Sequence, residues 1–173
     1  MTLIEMIVAL AILLVIIGAI VDSFASATKA ETDQIARADA QTNARLSLET
    51  MRRDIHCATS ADTSVTGKLT LGQPATLPCA GPTATSTVVW CTTGSAGRYM
   101  LRRSTTSTCD ASSMPKADYL VTNAVWSNAS CVAGSGRNRA IAVDLQISVT
   151  EQTPGPNTYR LQDAITLRNG SVC

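Results

Sequence analysis

The residues of this chain that could take part in chemistry are few. Glu5 is a carboxylate inside an otherwise apolar N-terminal run, and the only histidine, His56, directly precedes Cys57. One histidine is too few for a histidine-rich metal site within a single chain. Adjacent side chains at the end of a helix rarely face each other, so His56 is a poor base for the Cys57 thiol. Because the sequence also has no G-x-S-x-G elbow, Walker loop or dinucleotide-binding fingerprint, we expect no enzymatic activity, no cofactor and no bound metal.

The six cysteines all lie beyond the apolar run and are even in number. None belongs to a C-x-x-C pair, which excludes zinc-ribbon spacing. An even count in a region rich in serine and threonine is typical of exported proteins, so we expect three disulfides, for which six cysteines allow 15 pairings. We favour a Cys91–Cys109 bridge that closes a hairpin, and we expect Cys57 to be tied to a neighbouring element of the sheet. The candidates are Cys57, Cys79, Cys91, Cys109, Cys131 and Cys173.

Composition excludes two broad classes of protein. Charged residues make up 16% of the chain and the formal net charge is +1, so the chain is neither a disordered polyelectrolyte nor a generic basic nucleic-acid binder. With aromatic residues at only 3%, we expect a small, aliphatic core. Some arginines could still form a basic patch for DNA, with ordinary solvated charges as the alternative: Arg98, Arg102, Arg103, Arg137 and Arg139.

The segment that carries Glu5 is long enough to cross a membrane. The first 21 residues would form about 31 Å of helix, close to the roughly 30 Å hydrocarbon core of a bilayer. An ionised Glu5 in hydrocarbon costs roughly 2.5 kcal/mol or more unless it is paired. A cleaved signal peptide would need a basic leader, whereas the first basic residue here is Lys29. A plain single-pass anchor is the other alternative, but it leaves Glu5 unexplained.

The helix is predicted to continue beyond the apolar run. Residues 22–55 contain no proline or glycine and are rich in helix formers. Leu48, Met51 and Ile55 are spaced as one helical face, which would rest on a folded head. The predicted helix has about 54 residues in all and a length of roughly 80 Å.

The remainder of the chain is predicted to be rich in β-strands. Residues 87–91 and 98–102 flank a glycine-containing turn and form a predicted hairpin. Residues 141–149 alternate apolar and polar side chains, and residues 159–167 alternate on the return after a Pro-Gly-Pro-Asn loop. Residues 119–126 are either a further strand or a short connection.

These elements predict an α+β fold, in which an antiparallel sheet packs on the second half of a long N-terminal helix, shaped like a lollipop. We expect residues 1–21 to form an apolar transmembrane or filament-core helix. Residues 22–56 would be its amphipathic continuation, and residues 57–173 a disulfide-stapled, β-rich globular head.

The N-terminal string Met-Thr-Leu-Ile-Glu, followed by the uninterrupted apolar run, resembles the mature N-terminus of type IV pilins and type II secretion pseudopilins. The resemblance implies that a prepilin peptidase cuts before Met1, so that the chain begins at its processed end, and that Met1 is then methylated. It also implies that Glu5 pairs with the N-terminal amine of a neighbouring subunit, both buried in a filament core. Any unwinding of the helix in a filament would centre near Gly18, and an unbroken helix is the alternative.

Three further segments resemble, less specifically, the minor pilins and the larger pseudopilins. Residues 51–55 read Met-Arg-Arg-Asp-Ile, like the end of the long helix in those subunits. Residues 101–103 read Leu-Arg-Arg and residues 167–169 read Leu-Arg-Asn, like two of their strands. The head is therefore expected to have the architecture of that subgroup.

The function that the resemblance implies is that of a structural subunit of a type IV pilus or pilus-like filament, serving adhesion, motility or DNA uptake. A pseudopilin of a type II secretion system is the alternative. A single-pass membrane enzyme or receptor is a third hypothesis, for which the sequence offers no catalytic group. The implied partners are other copies of the chain, the prepilin peptidase and the pilus assembly machinery, with DNA or surface ligands as further candidates. The implied location is the cytoplasmic membrane before assembly and the cell surface afterwards.

Overall fold

A computed structural model of the chain describes residues 2–74, 87–95, 97–128, 139–150, 153–155 and 157–169. Within these ranges one helix precedes eight strands, which confirms the predicted α+β class. The helix α1 spans Leu3–Cys57. The strands are β1 (Ser60–Asp62), β2 (Lys68–Gly72), β3 (Thr87–Ser95), β4 (Arg98–Ser104), β5 (Met114–Leu120), β6 (Trp126–Asn128), β7 (Ala140–Ile147) and β8 (Tyr159–Thr166).

Helix α1 has 55 residues, close to the predicted length. It runs through Gly18 without a break, since a single glycine costs only about 1 kcal/mol in a helix, and residues 22–55 contain no proline or glycine to interrupt it further on. That any unwinding in an assembled filament centres near Gly18 stays a prediction. At the other end, the Asn169 side-chain amide donates to the carbonyl of Cys57 at 3.3 Å and so satisfies one of the last carbonyls of the helix.

The chain divides into two compact units, Met1–Ala38 and Asp39–Cys173. The first unit contains the apolar part of α1. The second contains the end of α1 and all the described strands, so the last turns of this helix belong to the same compact unit as the sheet.

All pairs of neighbouring strands are antiparallel, and β1 to β5 follow one another across the sheet. Strand β7 pairs along its whole length with β8. Its other edge is shared by two strands, since Leu120 of β5 pairs with Ile147 while β6 pairs with residues 141–143. Among the described strands, β1, β6 and β8 therefore each pair with one neighbour only.

Both predicted hairpins are present, with one correction to a turn. Strand β3 pairs with β4, but it extends to Ser95, which pairs directly with Arg98, so the turn is tighter than expected. Gly94 and Gly97 have φ angles of 137° and 79°, which strain any residue with a Cβ. Strands β7 and β8 pair antiparallel with the predicted alternation of faces, although β7 ends at Ile147, two residues before the predicted end.

Of the two alternatives for residues 119–126, the short connection is confirmed for residues 121–125. The strand in this region is β5, which ends at Leu120, and residues 121–125 connect it to β6. Strands β1 and β2 were not predicted, because β1 has only three residues and neither has an extended apolar alternation.

The core lies between the sheet and the end of α1. The helix buries the predicted stripe of Leu48, Met51 and Ile55, which Ala40 and Ala44 extend toward the N-terminus at spacings of four residues. Most of the core is aliphatic, as expected. Its largest fully buried side chain, however, is Trp90 of β3, so the expected dependence on aliphatic residues alone is wrong at the centre of the sheet.

The predicted Cys91–Cys109 disulfide is present, with Cα atoms 6.2 Å apart. It ties β3 to the loop that follows β4. Cys57 is disulfide-bonded as well, while Cys79, Cys131 and Cys173 lie outside the described residues. The pairing of Cys57 with a neighbouring element of the sheet stays a prediction.

We expect the double substitution Cys91→Ala/Cys109→Ala to lower the free energy of unfolding by about 3 kcal/mol, because the bridge closes a loop with a sequence separation of 18. Urea unfolding of the detergent-solubilised full chain, followed by near-ultraviolet circular dichroism, measures this change. An unchanged unfolding midpoint would contradict the assignment of a stabilising role to this bridge. Recovery of Cys91 and Cys109 as separate thiol peptides from a non-reducing digest would contradict the bridge itself.

Candidate assembly helix

The N-terminal part of α1 is apolar on every side and covered by nothing within the first unit. Its large hydrophobic side chains between Leu3 and Val21 keep from 48% to 80% of their surface exposed. A helix that is hydrophobic all round belongs in a membrane or in a bundle of other helices. The helix is long enough to cross a membrane and has a window of mean hydropathy 3.0, a test that signal sequences near an N-terminus also pass.

Glu5 has a local partner at the start of this helix. Its Oε2 atom accepts a hydrogen bond from the backbone N–H of Thr2 at 2.9 Å and another from the Thr2 hydroxyl at 3.3 Å. A Ser or Thr followed three residues later by Glu is the sequence signature of a capping box, in which the Glu side chain reaches back to the first backbone N–H. Sequence reasoning overlooked this signal, although Thr2 and Glu5 have the required spacing.

The two hydrogen bonds from Thr2 give the Glu5 carboxylate polar partners but do not neutralise its charge. The carboxylate shares a shallow groove with Ile4, Val8, Ala9 and Ile12, all apolar. The next basic side chain along α1 is Lys29, roughly seven helical turns away. No side chain of the apolar run can therefore supply a cation for this carboxylate.

The other sequence-predicted residues of this segment are Met1 and Gly18. Met1 lies outside the described residues, so its processing and methylation stay predictions. A Cβ atom added at Gly18 would meet nothing within 4 Å. Nothing in the described part of the chain therefore requires glycine at this position, whereas a second helix could use it to approach closely.

A buried carboxylate, that of Asp54, joins the last turns of α1 to the sheet through hydrogen bonds. Asp54 accepts two hydrogen bonds from Arg103 of β4, with Nε–Oδ2 at 2.7 Å and Nη2–Oδ1 at 3.1 Å. It also accepts a hydrogen bond from the indole N–H of Trp90 at 2.9 Å. The Asp54 side chain is only 12% exposed, so this charge is compensated within the chain by a fork of two parallel hydrogen bonds.

Further polar contacts join the same last turns of the helix to β8. The Arg52 guanidinium donates to the Asp163 carboxylate, with Nη2–Oδ2 at 2.7 Å, and this pairing raises the pKa of Arg52. The Nδ1 atom of His56 lies 2.8 Å from the carbonyl of Thr166, and it must donate because a carbonyl only accepts. His56 is thus oriented toward the strand, while its neighbour Cys57 is held in a disulfide.

Three of the arginines proposed as a basic patch make contacts within the second unit, whereas Arg137 lies outside the described residues and Arg139 directly precedes β7. Arg102 and Arg103 are consecutive in a strand and so point to opposite faces of the sheet. Arg102 donates to the Thr93 hydroxyl at 2.8 Å, and the Arg98 guanidinium lies 4.3 Å from the centre of the Tyr119 ring. All three arginines belong to β4, and Arg103 points to the face of the sheet opposite Arg98 and Arg102, so these three do not share one surface.

Among the described residues, no group of three or more His, Cys, Asp or Glu side chains is placed to hold a metal ion. No protein-family model, curated protein or solved structure matches this chain. The structure itself shows one long, apolar N-terminal helix and an antiparallel sheet, an arrangement compatible with a pilin-like architecture. The candidate membrane span near the N-terminus is consistent with single-pass anchoring.

We expect Asp54→Asn to lower the free energy of unfolding by about 3 kcal/mol, because it leaves the Arg103 charge partly buried and uncompensated. Urea unfolding of the full chain in detergent measures the change.

The matched control is Asp144→Asn. Asp144 receives the same two-pronged contact from Arg160, with distances of 2.9 and 2.7 Å, but the Arg160 side chain is 54% exposed. We expect Asp144→Asn to lower the free energy of unfolding by less than about 1 kcal/mol. Equal losses of unfolding free energy in Asp54→Asn and Asp144→Asn would contradict the conclusion that the buried Asp54 pair stabilises the fold more than the exposed Asp144 pair.

Proposed function

We propose that this chain is a structural subunit of a type IV pilus or a pilus-like filament, assembled through its N-terminal helix. The observation that carries the proposal is Glu5, a carboxylate capped by Thr2 but without a basic side chain in reach, on a helix that is apolar all round. The resemblance of residues 1–5 to the mature pilin N-terminus supplies the partner, namely the terminal amine of another copy.

The energetics favour pairing between copies. A charged carboxylate in hydrocarbon is costly, and an amine from a neighbouring chain offsets that cost through a charge-assisted hydrogen bond. The contact joins Glu5 of one chain to the N-terminus of the next, so it is not self-complementary. Repeated contacts of this kind that do not close on themselves generate a helical filament.

The surface of the apolar helix suits dense packing of several copies. Small residues recur along it, so neighbouring backbones can approach closely: Ala9, Ala11, Gly18 and Ala19. Since the large apolar side chains between them are exposed, burying them against other copies or lipid supplies the driving force that a single chain lacks.

The second unit supports an exported subunit. Its Cys91–Cys109 disulfide is typical of oxidising compartments. In the proposed life cycle a prepilin peptidase processes the chain at the cytoplasmic membrane, the N-terminal amine is methylated, and the assembly machinery then places the subunit in a surface filament. Adhesion, motility and DNA uptake are the functions that such a filament would serve.

A pseudopilin of a type II secretion system is the second candidate, because the same residues 1–5 and the same apolar run match both groups. The two differ in the length of the assembled fibre. Negative-stain microscopy of material sheared from the cell surface separates them, since long filaments that contain this chain favour the pilus.

We expect Glu5→Gln to insert in the membrane normally but to lower the yield of sheared filaments by at least about 100-fold. Glutamine serves in a capping box, so the helix start is retained. The variant loses the charge that pairs with the amine, which costs about 3 kcal/mol at each contact in the filament. Quantitative immunoblots of the membrane and sheared fractions measure both effects.

The matched control is Glu31→Gln, which removes an exposed carboxylate of the same helix beyond the apolar run and should leave the yield unchanged. Normal filaments from Glu5→Gln would overturn the pairing and, with it, the argument for this function.

A further inference from the structure

The second unit contains a surface cavity that filament assembly does not use. It lies where β4 meets the loop to β5 and has a volume of about 450 Å³. Small-molecule sites usually measure about 300–1,000 Å³. Two stretches, residues 103–106 and 112–114, line it together with Thr108 and Asp110, so hydroxyl-bearing side chains predominate.

The loop that forms this cavity is held to the sheet at several points. The Cys91–Cys109 disulfide ties its middle to β3. The Arg102 guanidinium donates to the carbonyl of Ser113 at 2.7 Å. Residue positions in the cavity are thus fixed before any ligand arrives, and pre-organised groups lose less entropy on binding.

Hydrogen bonds within the loop orient its polar groups. Asp110 Oδ1 accepts from the backbone N–H of Ser112 at 2.9 Å and from its hydroxyl at 2.5 Å, and these bonds lower the pKa of Asp110, so the carboxylate is charged at neutral pH. The other oxygen, Oδ2, makes no hydrogen bond to the part of the chain that the structure describes. On the opposite wall the Ser104 and Thr106 hydroxyls lie 2.8 Å apart, with Thr106 Oγ1 also 3.1 Å from the Thr108 carbonyl.

The lining disfavours three classes of ligand. An anion would meet the charge of Asp110, while the Arg103 guanidinium at the rim is already paired with Asp54. A divalent cation prefers several carboxylate ligands, and Asp110 is the only carboxylate among the residues that line the cavity. A purely apolar ligand would leave the hydroxyl groups without partners.

We propose that this cavity binds a neutral saccharide. The Oδ2 atom of Asp110 would accept hydrogen bonds from the sugar hydroxyls, and charge-assisted hydrogen bonds of this type are short and strong. The hydroxyls of the lining both donate and accept, as those of a sugar do. Met114, of which 58% is exposed, adds an apolar surface against which the C–H face of a sugar ring packs.

The experiment uses the full chain in lauryldimethylamine oxide, since a maltoside detergent would itself be a competing sugar. The probes are the methyl glycosides of glucose, galactose, mannose and N-acetylglucosamine, together with lactose and cellobiose. Saturation-transfer NMR detects binding, and titration gives the dissociation constant. We expect at least one probe to bind, and we expect Asp110→Asn to weaken its binding by about tenfold or more, because Asn keeps Oδ1 for the turn but removes the charged acceptor.

The matched control is Asp62→Asn. Asp62 makes the same kind of turn, with Oδ1 accepting from the backbone N–H of Ser64 at 2.9 Å, but it lies outside the cavity. We expect this variant to bind the sugar as the unsubstituted chain does. If non-reducing peptide mapping shows that Asp110→Asn fails to form the Cys91–Cys109 bridge, Met114→Ala takes its place, because no hydrogen bond of the loop passes through the Met114 side chain.

Failure of all six probes to bind would overturn the proposal, as would equal affinities for Asp110→Asn and Asp62→Asn. The proposal does not rest on filament assembly, so neither result bears on the proposed function.

Discussion

A carboxylate does not stay charged and unpaired in hydrocarbon, and Glu5 imposes this condition on the whole first unit. The side chains that surround it are apolar and exposed, so burial of this segment is favourable only in lipid or among other helices. Thr2 provides hydrogen bonds to Glu5 but no charge. The same segment therefore supplies both the apolar surface that favours burial and the one charge that restricts how burial can occur. Burial of Glu5 is favourable only beside a partner that brings a cation.

Asp54, near the other end of the same helix, is paired with a cation within its own chain. It is also a carboxylate in an apolar environment, but Arg103 and Trp90 come from the chain's own sheet and satisfy it. Removing either charge would leave the other buried without compensation. Helix α1 thus carries one carboxylate that is paired with a cation by folding and one whose partner among the described residues, Thr2, brings no charge. The last turns of the helix therefore stabilise the second unit, and under the proposed function the apolar turns would serve assembly.

Patterned segments of the sequence could be predicted, and contacts between distant residues could not. The helix, the β3–β4 hairpin and the β7–β8 hairpin all have strong periodicity or clear turns. Strand β5 contains Pro115 and two charged residues, which disfavour a strand by propensity, and its pairing with β4 decides its structure. Asp54 and Arg103 are 49 positions apart, and no periodicity links them. The capping box at Thr2 and Glu5 differs from these distant contacts, because the spacing of the two residues in the sequence is sufficient to predict it.

The local and the intermolecular roles of Glu5 are compatible, because they use different parts of the carboxylate. Both hydrogen bonds from Thr2 fall on Oε2, which leaves Oε1 open to a cation as far as the described residues extend. A partner amine could therefore bind without uncapping the helix. The cap also fixes the rotamer of the Glu5 side chain before a partner arrives, so that less side-chain entropy is lost when the pair forms. Under the proposed function, Thr2 would thus favour assembly by positioning Glu5.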